Sequence, residues 1–182
     1  MKRSILTFFA GFFVSAIILT PFLFRKKASE TVTPATKPSE IVYSTTETEG
    51  YYFPTHNNLL VMDRAFAESV EVIVVEIGAG RWTHKHVHDD TEQLYYVLSG
   101  DGKVEIDKDG KIEEHFFHPG DLVHIPRNYT HQTFSVGDQD LRYLAVDCFT
   151  FGKKLEEPTW DAHARVICEQ NSWSYEESRI KK

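Results

Sequence analysis

Cysteine is scarce in this chain. There are two among 182 residues, Cys148 and Cys168, in no CxxC pair and at no zinc-ribbon spacing. That excludes a cysteine metal cluster and reads as two thiols packed in or near a core; a disulfide between them requires an oxidising compartment. Also missing are a Ser-His-Asp order, a phosphate-binding glycine loop and a dinucleotide fingerprint, so the familiar nucleophile and nucleotide chemistries have no foothold. Positive charge is short too. The net charge is −7, and every charge before Ala28 is basic (Lys2, Arg3, Arg25, Lys26 and Lys27), so the remainder carries about −12. An acidic domain of this kind does not read as a nucleic-acid binder. No internal repeat is present.

The length suits one ordinary domain with tails, divided into 1–27, 28–50, 51–170 and 171–182. The run from Ile5 to Phe24 is uncharged and about 20 residues long, the length of a bilayer-spanning helix. Pro21-Phe22-Leu23-Phe24-Arg25 is a poor cleavage site, so the run reads as a single-pass membrane anchor. The rival reading is a signal peptide whose removal releases a secreted domain. Ala28 to about Tyr43 is rich in Thr, Pro, Ser, Glu and Lys and reads as a flexible tether. Tyr51-Tyr52-Phe53-Pro54 is expected to pack against the edge of the domain that follows.

From Val70 onward the pattern is one of short strands. Val70 to Ile77 is a β-branched run. Lys103–Asp107 and Lys111–Phe117 flank Asp109-Gly110, a pair that accepts positive φ and signals a tight hairpin. Leu122–Ile125, Gln132–Val136 and Leu141–Phe149 follow, separated by turns. This spacing suits an all-β barrel or jelly roll. Beyond Gly152 the pattern weakens. Trp160 to Gln170 reads as a strand or helix covering an edge, and Ser174 to Lys182 as a polar tail.

Within that frame His86 and His88 are one residue apart, so on an extended strand both imidazoles share a face. Two converging imidazoles are a metal site awaiting further ligands. Gly80, His86, His88, Gln93 and Gly100, followed by Gly120, Pro126, Asn128, His131 and Ser135, fall in register with the two motifs of the cupin family, which the segment from about Asn58 to Phe149 resembles. Gln93 stands where that family usually has glutamate. Glu92 is acidic but is one residue out of register and faces the other way. Asn128 replaces a glycine at a turn, and asparagine tolerates the left-handed backbone.

The resemblance implies a single cupin β-barrel (jelly roll), with His86, His88, Gln93 and His131 around a divalent ion; the uncharged run and the polar stretch after it place one transmembrane helix and a flexible linker before that barrel. Zn, Mn, Fe, Ni and Co all suit mixed nitrogen and oxygen ligands. With four neutral ligands the ion keeps its full charge, which favours Lewis-acid chemistry on anionic or enolising substrates. On that reasoning Gln93→Glu is expected to hold metal more tightly and to weaken the chemistry. The ligand set is similar to small cupins that isomerise, cyclise or decarboxylate, such as polyketide cyclases and the uronate-opening cupin of pectin degradation. Two other readings stay open: an Fe(II)-dependent dioxygenase, and a non-catalytic module binding a sugar or other small molecule. Tyr95 shares the face of Gln93, and His84 the parity of His86, so both are pocket candidates; Tyr95 is at least as well explained as a core aromatic, and a residue like His84 more often simply lies near the barrel mouth. His115, His118 and His124 read as surface or structural residues, and Arg81 and Trp82 as side chains that could meet a substrate at the barrel mouth. A homodimer is expected from the resemblance alone.

Overall fold

The computed structural model describes residues 41–181. Among them are nine strands: β1 (Glu49–Tyr52), β2 (Asn57–Met62), β3 (Val70–Ile77), β4 (Glu92–Ser99), β5 (Asp101–Lys108), β6 (Lys111–Phe117), β7 (Leu122–Ile125), β8 (Thr130–Val136) and β9 (Leu141–Cys148). They form a six-stranded sheet in the order β1-β2-β3-β9-β4-β7 and a three-stranded sheet in the order β6-β5-β8. Every strand pairing within the sheets is antiparallel.

The strands form where alternation separates a buried face from an outer one. In β9, Leu141, Tyr143, Ala145 and Asp147 are buried while the residues between them are half-buried; β5 alternates likewise with Gly102, Val104 and Ile106 inside. The inward faces meet in one core that includes Ile73, Val75, Val97, Val104 and Ile125. The β5–β6 hairpin closes through Asp109 at φ 54° and Gly110 at φ 84°, the backbone this pair was expected to adopt. Gly100 is required for a second reason. At φ 74° it lies so near the β8–β9 turn that an added Cβ would sit 2.4 Å from the Asp140 carbonyl oxygen.

Two expectations change. The fold is not purely β: α1 (Trp160–Asn171) follows the last strand, capped by Thr159, whose hydroxyl accepts from the Ala162 amide. Its buried residues Trp160, Ala164 and Cys168 recur every four positions and make one inner face. Residues beyond 171 do not trail away. The short helix α2 (Tyr175–Ser178) buries Ser178, and Arg179 donates 2.8 Å to the Gly50 carbonyl with its guanidinium 3.9 Å over the Tyr51 ring. A polar composition concealed this because the contacts are made by a long side chain lying along an aromatic face. Tyr51 and Phe53 are buried beside β1, as the edge-packing expectation required. Both cysteines are free.

The expected membrane span over residues 5–24, and the linker as far as residue 40, lie outside the described residues. Among the described residues no helix is long and apolar enough to cross a membrane.

Candidate metal centre

The histidine pair does not lie in a continuous strand. The segment before β4 meets β8 through two isolated bridges, Trp82 with Phe134 and His86 with His131. Their residue sums differ by one, so the pairing slips between them as at a bulge. Beyond the slip His86 and His131 exchange both backbone hydrogen bonds, at 3.0 and 2.8 Å. That double bond sets the two rings side by side, with centroids 4.3 Å apart. Asn128, at φ 66°, turns the chain into β8 and donates its amide to the His88 carbonyl at 2.8 Å. The asparagine in the glycine position therefore takes the left-handed backbone and also clamps the His88 strand.

His86, His88 and His131 each bring a ring nitrogen to within 4.8 Å of the other two. Backbone carbonyls decide which nitrogen is free. His86 Nδ1 donates to the His84 carbonyl at 2.9 Å, and His131 Nδ1 donates to the Tyr129 carbonyl at 3.0 Å. A carbonyl only accepts, so both Nδ1 atoms carry the proton and both Nε2 atoms keep a lone pair. His88 Nε2 is buried and has no protein partner. A buried nitrogen without a partner beside two prepared lone pairs is what a cation-binding set looks like before its ligand is added. Burial holds all three rings below the ordinary histidine range, His131 down to about 3, so they are neutral and ready to ligate at neutral pH.

Gln93 enters from β4 and is buried, whereas Glu92 faces outward and meets His124 Nε2 at 3.0 Å. The alternation argument thus separates the pair correctly. The Gln93 amide group donates 2.7 Å to Asp147 Oδ1. Its oxygen is thereby turned the other way, where it accepts from the Tyr95 hydroxyl at 2.8 Å. That hydroxyl is also 3.2 Å from His131 Nε2, so Tyr95 stands between the amide and the histidines. Tyr95 is both pocket residue and core aromatic: its ring packs on Tyr143 at 4.4 Å between centroids, and burial pushes its hydroxyl well above the ordinary tyrosine range.

His86, His88, Gln93, Tyr95 and Asp147 line a cavity of about 120 Å³. His84 lines it too, 4.6 Å from His86 between ring centroids. Burial, and next the nearby His86, lower it to about 4, so it is an uncharged wall rather than a proton donor. His115, His118 and His124 are at the surface, in ion pairs with Glu113, Asp101 and Glu92. Arg81 bonds the Pro54 carbonyl and lines a different hollow, and Trp82 is half exposed against Phe134; neither lines the histidine cavity.

Several cavity residues were not singled out in the sequence. His56 is buried, and burial drives it well below the ordinary range. From α1 and the loop before it come Lys154, Glu157, His163 and Gln170. The segment expected to cover an edge as a strand or a helix is the helix α1, and it covers this cavity. Behind Gln93 a buried network continues: Arg64 donates twice to Glu71, at 2.7 and 2.8 Å, with 2% and 0% of the two side chains exposed. Burial, and next Glu71, push Asp147 up to about 7.

Comparison with known proteins agrees with this fold. Residues 73–147 match the cupin domain family. An uncharacterized protein of Methanocaldococcus jannaschii is 30% identical over 77 residues, which is 42% of this chain and 57% of that protein; the chain thus spans a little over half the length of this relative. Among solved structures, a predicted oxalate decarboxylase from Thermotoga maritima is similar with a TM-score of 0.52 and 18% identity, covering 60% of this chain and 99% of the other. The polyketide cyclase RemF from Streptomyces resistomycificus is similar with a TM-score of 0.51 and 20% identity, covering 74% and 98%. At these identities the two structures speak for the fold alone.

Proposed function

We propose that this chain, a member of the cupin superfamily, is a metal-dependent enzyme acting on a small carbonyl-containing or anionic molecule by isomerase, cyclase or lyase chemistry. The carrying observation is the set of three neutral imidazoles with ring nitrogens within 4.8 Å of one another, one of them a buried nitrogen with no protein partner. His86, His88, His131 and the Gln93 oxygen are the groups that would hold a divalent ion. Such an ion supplies Lewis acidity undiminished by a ligand carboxylate.

The chain's own residues do the rest. Tyr95 keeps its proton, because burial disfavours the phenolate, and donates it to the Gln93 oxygen at 2.8 Å, which fixes the orientation of that amide. Ile73, Val75, Ala145 and the neutral His84 form one part of the cavity wall, and Asp89, Asp90, Lys154 and Glu157 another. Size narrows the substrate. A dry cavity of about 150 Å³ takes a benzene-sized guest, and the one here is about 120 Å³. That size suits a small guest molecule. The membrane anchor and its alternative, secretion, rest on residues 5–24 of the sequence.

Elemental analysis of the purified barrel, with a substrate screen run with and without oxygen, tests the reading. Retained metal and turnover without oxygen support it. Obligatory oxygen consumption would make the chain a dioxygenase, and absence of metal after incubation with Zn, Mn, Ni, Co or Fe(II) would leave a binding module.

A further inference from the structure

We propose that His163, held by Glu157, is the proton-transfer residue of the cavity. The proposal rests on the reading above, that a small carbonyl compound is activated at the histidine cluster. Both residues lie outside the segment that matches the cupin domain, which ends at residue 147, and neither belongs to the expected ligand set.

His163 sits on α1 where the helix covers the cavity. Its Nδ1 makes a close hydrogen-bond contact with Glu157 Oε2. The carboxylate occupies Nδ1, so Nε2 is the nitrogen left to meet a guest; this is the arrangement in which an acidic residue fixes the tautomer of a working imidazole and balances its charge when it takes a proton. The pair is built on rigid supports. Side-chain exposure is 18% for His163 and 9% for Glu157. The ring of His163 packs 5.3 Å from that of Trp160, which is 1% exposed. Arg64 Nη1 lies 3.7 Å from Glu157 Oε2, and the Glu157 amide donates to the Lys154 carbonyl at 3.1 Å. The contact with His163 holds the Glu157 carboxyl below its ordinary range, so it is ionised at neutral pH.

Among the imidazoles, tyrosines and lysine of the cavity, elimination points the same way. His86, His88 and His131 are the ligand set. His56 and His84 are pushed down by burial and lack a carboxylate partner. Tyr95 and Tyr143 are pushed up and are not bases at neutral pH. Lys154 is held in an ion pair with Asp89 at 2.7 Å. His163 is the cavity-lining imidazole paired with a carboxylate. In the step assigned to it, Nε2 takes a proton from the carbon beside the substrate carbonyl. The C–H electron pair becomes the carbon–carbon double bond of the enolate, and the carbonyl oxygen takes the charge. The imidazolium then returns its proton to carbon, at the same position or an adjacent one.

The test uses the full chain loaded with whichever divalent metal it retains, and follows exchange of the carbonyl-adjacent protons of pyruvate and 2-oxobutyrate into deuterium oxide by NMR. His163→Gln is expected to lower exchange at least 100-fold with metal content unchanged. Glu157→Gln is expected to lower it less and to move its pH profile. The groups facing this pair are Arg64 and Lys154 around Glu157, with His84, His86 and His88 across the cavity. Wild-type exchange that survives in His163→Gln overturns this inference and leaves the proposed function standing. Absence of exchange in the metal-loaded wild type overturns the enolising reading itself, and this inference with it. A second measurement needs neither metal nor substrate: nitrogen-15 NMR of the histidine-labelled chain should show His163 protonated at Nδ1 and bare at Nε2 near pH 7.5, with that preference lost in Glu157→Gln. A proton on Nε2 in the wild type would also overturn it.

Discussion

Asp147 accepts a 2.7 Å hydrogen bond from the amide group of Gln93, and that contact reverses a conclusion drawn from ligand charge alone. By charge, glutamate at position 93 should hold a cation more tightly. In the folded chain it would set a second carboxylate against Asp147, which is 2% exposed, stands near Glu71 and is already pushed up to about 7. Two buried carboxylates at that separation do not both ionise. Gln93→Glu is therefore expected to fold less stably and to bind metal no better than wild type. Gln93→Glu with Asp147→Asn keeps one carboxylate and one amide and should restore both properties. Calorimetric titration with Zn and urea unfolding of the two variants decide the matter; tighter binding by the single variant would show that Asp147 does not constrain the site.

His86→Ala, His88→Ala and His131→Ala should each abolish stoichiometric metal, since each removes one of three converging nitrogens. Gln93→Ala should weaken binding less. His124→Ala serves as the control, because His124 is an exposed partner of Glu92. Metal content by elemental analysis, on variants whose thermal unfolding is first shown to be cooperative, is the readout.

Much of the candidate site was legible because its signals are local. Alternation alone faces Gln93 inward and Glu92 outward, and the φ of 66° at Asn128 follows from that residue's tolerance of the left-handed region. The Asp109-Gly110 hairpin is readable for the same reason. His163, Glu157 and Lys154 were not legible, since the helix that carries or follows them reaches the cavity only through tertiary packing. The pairing of Arg64 with Glu71 leaves no periodic trace either: nothing in the sequence distinguishes a buried ion pair from two solvated charges. The slip between the Trp82 and His86 bridges is likewise a product of strand pairing.

That ion pair carries its own expectation. Arg64 and Glu71 are 2% and 0% exposed, so removing one partner strands the other charge in the core. Arg64→Leu should cost about 3–5 kcal/mol, more than most core truncations of similar size. Replacing both, Arg64→Leu with Glu71→Leu, should recover much of the loss. Urea unfolding of the three chains tests this, and an additive double variant would mean that the pair does not act as a unit.

The uncharged run over residues 5–24 is expected to keep the full-length protein with membranes through a carbonate wash, while a chain starting near Glu40 should remain in solution. Recovery of a free protein trimmed before Glu30 would identify the run as a signal peptide.

Acid should unfold the metal-free chain early. His56, His84, His86, His88 and His131 are all lowered, chiefly by burial. The unfolded chain takes up protons on these rings near pH 6.5, while the folded chain resists until about 4 at His84 and about 3 at His131. In that window the unfolded state binds more protons, so stability is full above about 6.5 and is lost as pH falls. Asp147, raised to about 7, acts in the opposite sense, because the folded state holds the extra proton there. One group opposes five, and each unmatched proton changes stability by about 1.4 kcal/mol per pH unit. The net sign is therefore a loss of stability on acidification. Urea midpoints measured at pH 7.5, 6 and 5 after chelator treatment should fall steeply, and midpoints that stay level would mean that the imidazoles take up protons without leaving the folded state.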